Sequence, residues 1–318
     1  MRKLAALVVT ILGSAGALAA QVNPPRSSAQ QPQATFKSGV DLVTVSVSVR
    51  TEDGRVVRDL QRSDFTVLDA GRPAKILDFY SGDSPISLAI LLDISGSMSV
   101  GGNMDRAREA VKVATMTLRN DTDEAALFTF DSQLQEVLAF TKDLERVHRV
   151  SLKGTPWGKT SLYDAIAAAA TTVSERANRH RALLVITDGV DTGSRSTAAE
   201  VSAVASSIDV PVYLLTVVTP IDHPGTEFEV SSDGRATQTA TLNDLARWTG
   251  GDMRVASTPA HISTAVQDLF TELRHQYLIS FEPGVRPGWH PLEIRTRKKG
   301  LVVHARGGYQ SGPSRSGS

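Results

Sequence analysis

Valine alternates with Thr or Ser from Val43 to Val49, in the stretch VTVSVSV. An alternation with a period of two is typical of a strand with one buried face. Asp53-Gly54 then favours a hairpin-type turn, and the stretch DFTVLDAGRPAKILDFY indicates two more short strands around a turn at 71–73. Residues 36–83 are therefore predicted to form a small β-segment.

The other end of the chain carries the same kind of pattern. The stretches QYLISFEPG, HPLEIRT and LVVHARGGY indicate three strands within 277–310, with a turn at Lys299-Gly300. Two or three strands by themselves are only marginally stable in water, so the two end segments are expected to pack together as one small β-sandwich.

Between these segments, residues 84–276 alternate strand and helix patterns. ISLAILLD is a continuous apolar run ending at Asp93, as expected of a strand covered on both faces. Apolar residues at helical spacing follow it, at Met104, Ala107, Val111, Ala114 and Leu118. Next come strands at EAALFTF, ALLVITD and PVYLLTV, helices near 161–175 and 197–206, and a polar exposed loop over 222–240 before a helix near Leu242. The predicted fold is a doubly wound, mostly parallel, Rossmann-like α/β sheet inserted into the sandwich.

The first twenty residues have the pattern of a secretory signal peptide. Arg2 and Lys3 precede an apolar run, and small residues surround Ala17-Leu18-Ala19. Residues 21–35 are rich in Pro, Ser and Gln and are predicted to be a flexible linker, and 311–318 a disordered tail. We expect a secreted or periplasmic protein without a stable membrane span after cleavage, because the apolar run is short for a bilayer. An uncleaved N-terminal membrane anchor is the alternative.

Composition and charge narrow the function classes. The 318 residues have 41% hydrophobic content and equal numbers of basic and acidic residues, 34 of each. This balance indicates neither a disordered acidic tail nor a basic surface for nucleic acid. The chain has no cysteine, which excludes a disulfide scaffold even though export would permit one.

Oxygen-bearing side chains follow several of the predicted strands. DISGSMS comes directly after the first long apolar strand, so an extended loop would turn Asp93, Ser95 and Ser97 to one side. Asp188 follows a later strand, and Thr160 precedes a helix. Ligands of open α/β sheets bind outside the carboxyl ends of the strands. Two carboxylates and three hydroxyls, with neither His nor Cys, suit a hard divalent cation, Mg²⁺ first, with Mn²⁺ or Ca²⁺ as alternatives.

These loops carry a resemblance to a known family. LLDISGSMS, GKTSLYDAI and LLVITDGVD resemble the three loops of the metal-ion-dependent adhesion site of von Willebrand factor A domains. The resemblance implies the same doubly wound fold and a partner protein whose Asp or Glu completes the metal shell. It also implies that the cation is held by Asp93, Ser95, Ser97, Thr160 and Asp188. The flanks, including DFTVLD and ARGGY, resemble less specifically those of a bacterial secreted group of acidobacterial type. Lys159 departs from the pattern of many relatives, and would either weaken metal binding electrostatically or point to solvent.

Each of these residues also has a structural interpretation. Asp93 could cap a helix, Asp188-Gly189 is a common turn, and Ser161 with Asp164 predicts a capping box for the following helix. Asp191 is interpreted as a solvated loop acid, with indirect support of the metal or a second cation site as alternatives. Trp157 could contact a ligand or anchor its loop by packing.

A nucleotide site is the first competing hypothesis for the stretch GTPWGKT. It comes within one residue of the phosphate-binding motif G-x-x-x-x-G-K-[ST]. Only three residues separate Gly154 from Gly158, and the preceding RVHRVSLK is more helical than strand-like. The loop is therefore too short to wrap phosphates, and we expect no nucleotide.

Enzyme activity is not expected either. The sequence contains neither a G-x-S-x-G elbow nor an H-E-x-x-H motif. A metal-dependent hydrolase using Asp93 would often have a second acid two residues on, where this chain has Ser95. The sequence favours a metal-dependent protein-binding module. A structural component of the cell envelope, with a fixed contact at the metal site, is the alternative.

Export generates the first testable prediction. We expect the mature chain to begin at Ala20 or Gln21, because the small residues just before them suit signal peptidase. N-terminal sequencing of protein purified from its native host would check this. A chain that still began at Met1 would instead indicate an uncleaved anchor.

Overall fold

The structure, a computed structural model, describes residues 42–150, 152, 155–221 and 234–312. The predicted signal peptide and linker, and the tail from 313 onward, lie outside these residues. In the described parts of the chain, no helix is both long and apolar enough to cross a membrane.

The described chain contains fourteen strands, six α-helices and two short 3-10 helices, Arg62–Asp64 and Gly96–Gly102. The strands are β1 Val43–Thr51, β2 Phe65–Asp69, β3 Arg72–Ala74, β4 Ile76–Tyr80, β5 Ile86–Asp93, β6 Glu124–Phe130, β7 Leu134–Thr141, β8 His180–Thr187, β9 Val212–Val217, β10 Met253–Ala256, β11 Tyr277–Phe281, β12 Gly288–Thr296, β13 Leu301–Ala305 and β14 Gly308–Ser311. The helices are α1 Asn103–Thr117, α2 Leu144–Arg149, α3 Leu162–Ser174, α4 Ala198–Ser207, α5 Gly234–Trp248 and α6 Pro259–Arg274.

The central sheet has six strands in the order β10-β9-β8-β5-β6-β7, and β7 alone among them runs antiparallel to its neighbour. The chain leaves β5 toward β6 on one side and later returns to β8 on the other. The strand order therefore reverses beside β5, and the carboxyl ends of β5 and β8 form the switch point where ligands of such sheets bind. The predicted doubly wound fold is confirmed.

Helices cover both faces of this sheet, which explains the uninterrupted apolar run of β5. Leu88, Ile90 and Leu92 pack on the face covered by α1 and α6, while Ala89 and Leu91 pack on the face covered by α3 and α4. All five side chains are fully buried. Ser87 near the start of β5 is buried with its hydroxyl donating to Glu124 at 2.6 Å, and from Leu88 onward this strand, covered on both faces, has no polar side chain until it ends at Asp93.

Two four-stranded sheets, β13-β1-β11-β4 and β14-β12-β2-β3, form the sandwich. Both sheets combine strands from the two ends of the chain, since β1 pairs with β11 and β13 and β2 pairs with β12. Their shared core is apolar and includes Val45, Val47, Phe65, Tyr277 and Phe281. The predicted packing of the two end segments on each other is confirmed.

Some elements differ from the prediction. The stretch LVVHARGGY is two strands rather than one, because β13 and β14 belong to different sheets and the chain crosses between them at Arg306-Gly307. Residues 234–240 were predicted as loop but belong to α5, and Ser311 ends β14 rather than starting a tail. The pattern also did not predict β7, β10 or α6, and the first two are edge strands with weak hydrophobic alternation.

Buried polar groups join the sandwich to the central domain. The Arg306 guanidinium donates to the backbone carbonyls of Ser206 and, at 2.6 Å, Thr44. The Asp209 carboxylate, at the start of the segment leading into β9, accepts from the backbone N–H of Ser46 at 3.2 Å and from its hydroxyl at 3.0 Å. These contacts lie where α4 ends and β9 begins, which is the edge of the central sheet opposite the carboxyl ends of its parallel strands.

A second buried cluster at the same junction centres on Glu272 near the end of α6. Its carboxylate pairs with the Arg50 guanidinium and accepts from the Ser48 hydroxyl at 2.7 Å and the Tyr213 hydroxyl at 3.2 Å. A buried charge is costly unless it is paired and hydrogen-bonded. The cluster therefore specifies one docked arrangement of β1 against β9 and α6.

His180 generates a prediction about stability and pH. Its imidazole is fully buried at the start of β8, and burial lowers its pKa from 6.5 to about 4. As the pH falls through this range, His180 binds a proton in the unfolded chain but not in the folded chain. The free energy of unfolding therefore falls, by about 3 kcal/mol for this group. We expect His180→Leu to remove this acid-side loss. Chemical unfolding of wild type and His180→Leu at pH values from 6.5 down to about 4 would check this. Curves of unfolding free energy against pH that run parallel for the two proteins would contradict it.

Candidate metal centre

Asp93 is the last residue of β5 and its side chain is fully buried. One carboxylate oxygen accepts from the Ser95 backbone N–H at 2.8 Å, and the other accepts from the Thr187 hydroxyl at 2.6 Å. Burial raises the pKa of Asp93 to about 6; the donors from Thr187 and Ser95 oppose this rise, and the nearby charge of Asp188 adds to it. The group is thus a buried acid held by neutral donors.

Thr187 is a site residue that the sequence reasoning missed. It is fully buried at the end of β8, and besides donating to Asp93 its hydroxyl accepts from the Gly189 backbone N–H at 3.0 Å. Leu92 pairs with Ile186 in the β5–β8 register, so the next positions, Asp93 and Thr187, come side by side. Only the pairing of two strands far apart in sequence reveals this contact.

The loop after β5 is held against the loop before α3. The hydroxyls of Ser95 and Ser97 lie 3.2 Å apart. Across to the second loop, the Trp157 backbone N–H donates to the Ile94 carbonyl at 3.0 Å, and the Gly96 N–H donates to the Gly158 carbonyl at 3.1 Å. The backbone of one loop therefore fixes the position of the other.

Thr160 belongs to that second loop and is almost completely buried. Its backbone N–H donates to the Thr192 hydroxyl at 3.0 Å, and its carbonyl accepts from the N–H groups of Thr192 and Gly193 at 3.0 and 2.8 Å. Thr192 lies four residues after Asp188, which is half-buried directly after β8. The structure thus brings the predicted site residues onto three hydrogen-bonded loops at one edge of the sheet.

The start of α3 is capped differently from the prediction. The Ser161 side chain makes no capping hydrogen bond, and the Asp164 carboxylate accepts instead from the backbone N–H groups of Arg195 and Ser196, both at 3.0 Å. The predicted capping box is therefore wrong. Asp191 accepts from the Leu162 N–H at 2.8 Å, so the acid interpreted as a solvated loop residue lies at the helix N-terminus.

Ser194 completes this cap. Its hydroxyl accepts from the backbone N–H of Tyr163 at 3.0 Å and donates to Asp191 at 2.6 Å. A loop some thirty residues further along the chain thus provides the cap, and local sequence rules cannot detect it. The same loop holds Thr160, so capping α3 and positioning Thr160 are structurally linked.

The side chains present fit a divalent cation. Within the described residues, neither Asp93 nor Asp188 forms an ion pair with a basic side chain. The described part of the chain also contains no cluster of three or more His, Cys, Asp or Glu that could hold a metal. A cation here would therefore need hydroxyl oxygens besides the two carboxylates, and the mixed all-oxygen set suits Mg²⁺.

Comparison with known proteins is consistent with this fold. Residues 88–190 match the family model of the von Willebrand factor type A domain. This part of the chain is therefore similar to such a domain, as the resemblance of its loops predicts. No curated protein matches the chain.

Several solved structures are similar to the chain. An aerotolerance-related membrane protein from Bacteroides fragilis is 21% identical over 59% of this chain and 98% of its own, with a TM-score of 0.46. The conserved hypothetical protein BatB from Bacteroides thetaiotaomicron is 18% identical over the same shares, with a TM-score of 0.44. A von Willebrand factor type A protein from Catenulispora acidiphila is 14% identical over 77% of this chain and 73% of its own, with a TM-score of 0.44.

The capping role of Asp191 is testable. We expect Asp191→Ala to lower the free energy of unfolding by about 1 kcal/mol, because the Leu162 N–H loses its acceptor at the start of α3. Asp191→Asn keeps an acceptor oxygen and should cost less. Urea unfolding in Mg²⁺ and in chelator would measure both variants.

The two media separate capping from the alternative roles in metal binding. Loss of a capping residue should lower stability in chelator as well as in Mg²⁺. A loss confined to the Mg²⁺ samples would contradict the capping role and make Asp191 part of the metal centre.

Proposed function

We propose that the chain is an exported, metal-dependent protein-binding module that recognises an acidic side chain of its partner. The observation that carries the proposal is the buried Asp93 carboxylate, which has neutral donors and a second acid nearby but no basic side chain paired with it in the described structure. Two acids close together at a strand end repel each other, and a bound cation would offset that repulsion.

Each of the predicted residues has a defined part in this proposal. Asp93 and Asp188 provide negative charge, and Ser95, Ser97 and Thr160 provide neutral oxygens. A divalent cation bound there would supply positive charge and an open position for a partner's Asp or Glu oxygen. The backbone hydrogen bonds among the three loops hold these side chains in place before a partner arrives, which reduces the entropy lost on binding.

We propose binding without turnover. The hydrogen bonds to the Asp93 carboxylate come from an amide and a hydroxyl, and position 95 offers a hydroxyl where a hydrolase of this kind would often have a second acid. Neither donor is a general acid or base at neutral pH.

The arrangement of the two parts of the molecule supports a binding role. The sandwich, which contains the first described strand, is joined to the central sheet at the edge opposite the candidate site. This junction therefore lies away from the candidate site.

Asp93→Asn tests the metal site, since it keeps the side-chain shape and removes the charge. Wild-type protein at about one hundred times the Kd of Mg²⁺ should gain about 2.7 kcal/mol of stability, and the variant should gain none. Without metal and well above the pKa of about 6, the variant should be at least as stable as wild type, because a buried carboxylate whose pKa is raised on folding destabilises the fold when ionised. Thermal unfolding with Mg²⁺, Mn²⁺, Ca²⁺ or chelator would measure this.

Thr160→Ala and Thr171→Ala form a matched pair for the same measurement. Thr160→Ala removes a neutral oxygen from the site and should reduce the Mg²⁺ response without abolishing it. Thr171→Ala removes an exposed hydroxyl from α3 away from the site and should leave the response unchanged. An unchanged response in Asp93→Asn would refute the assigned site, and a wild type indifferent to every cation would refute the metal.

Partner capture from envelope extracts distinguishes an exchangeable module from a fixed assembly component. Partners of a module should be released by chelator and recaptured on adding Mg²⁺. Retention of the same partners in chelator would favour the assembly component instead.

A further inference from the structure

Trp157 is an exposed aromatic side chain next to the candidate metal centre. Its surface is 82% accessible to solvent, so packing of the indole does not anchor the loop. An indole is the largest apolar group a protein can present, and exposing it forgoes the free energy of its burial. Its position therefore calls for a role other than stabilising the folded chain.

The backbone beneath the indole is fixed rather than loose. The Trp157 N–H donates to the Ile94 carbonyl, one residue from Asp93, and the next residue, Gly158, accepts from Gly96. Gly158 adopts a φ of +89°, a conformation that favours glycine and turns the chain sharply. Three residues after Trp157 the chain reaches the buried Thr160. The backbone of Trp157 thus has a fixed place beside the predicted ligands, and its indole is exposed to solvent there.

Other side chains are exposed on the two loops beside the candidate site. Lys159 is exposed two residues after Trp157. On the loop after β5, Met98 is fully buried while Val100 is 63% exposed, so that loop also has an anchored residue and an outward apolar one. The two loops beside the candidate site therefore expose apolar side chains and a positive charge, and the Asp131 carboxylate lies close to Gly158.

We propose that Trp157 is a specificity-determining residue that binds an apolar or aromatic side chain lying next to the acidic residue of the partner. The proposal rests on the proposed function, since the metal site would bind the acidic residue of the partner while Trp157 contacts the residue beside it. Tryptophan is enriched among interface residues that dominate binding energy, and the hydrogen-bonded backbone of Trp157 limits the entropy lost on binding to that of its side chain. Lys159 adds charge complementarity to an acidic segment. Trp157 is three residues from Thr160 and thus at most about 10 Å away along the chain, so in an extended partner segment at about 3.3 Å per residue the apolar residue would lie within about three positions of the acid.

Displayed peptide libraries test this with a defined probe. One library has a fixed central Asp between randomised flanks, and a matched library has Asn in its place. Both are selected on the full mature chain in Mg²⁺ and in chelator. We expect Asp peptides to be enriched only in Mg²⁺, with apolar or aromatic residues over-represented near the Asp.

Variants then assign the preference to Trp157. Trp157→Ala should weaken the selected peptide by about tenfold or more and remove the flank preference, while the melting temperature and its Mg²⁺ shift stay at wild-type values. Trp157→Phe should restore part of the affinity. Met116→Ala, which removes a 66% exposed apolar side chain near the end of α1, should bind like wild type.

The outcomes separate this proposal from the one it rests on. Asp peptides enriched in Mg²⁺ without a flank preference, or with a preference that Trp157→Ala retains, would overturn the role of Trp157 and leave the metal-dependent module standing. Equal enrichment of Asp and Asn peptides, or equal enrichment with chelator, would overturn both.

Discussion

The burial of the Asp93 carboxylate is the constraint around which the functional edge of the molecule is organised. A carboxylate taken out of water needs hydrogen-bond donors, and Asp93 obtains them from the Ser95 amide and the Thr187 hydroxyl. The first donor requires the chain to turn directly after β5, and the second requires β8 to lie beside β5 in the observed register. Asp188, next to Thr187, is thereby brought near Asp93, and the negative charge of Asp188 raises the pKa of Asp93 further.

The loop after β8 links this carboxylate to the rest of the site. Its Thr192 and Gly193 hold the backbone of Thr160, and its Asp191 and Ser194 cap the start of α3. A polar loop with two acids would otherwise be solvated and mobile. Here its polar groups are satisfied by helix N–H groups that lack partners inside the helix, so the order needed at the site comes from capping a helix.

The opposite edge of the central sheet has a different physical basis. There the sandwich is joined through buried charged groups, with Arg306 bonded to backbone carbonyls and Glu272 paired with Arg50. Apolar packing alone would tolerate sliding, whereas buried polar groups are satisfied in one arrangement. Because β1 pairs with β11, the two ends of the central domain are also held close together. The molecule thus has a fixed junction at one edge and its candidate binding surface at the other.

The sequence by itself determined the parts of this protein that depend on local periodicity and on strand ends. The apolar run of β5, the helical spacing from Met104 and the alternation from Val43 predicted the elements, and the oxygen residues after the strands predicted one candidate site. Tertiary structure decided what depends on residues far apart in sequence. Thr187 contacts Asp93 only because of the register between β5 and β8. Asp191 replaces the local capping box because its loop folds back on α3. The continuous strand pattern around Arg306 is divided between β13 and β14, which belong to two different sheets. Exposure of Trp157 belongs to the same group, since the sequence is equally compatible with packing of its indole, and only the structure shows the indole exposed above a backbone bonded to Ile94.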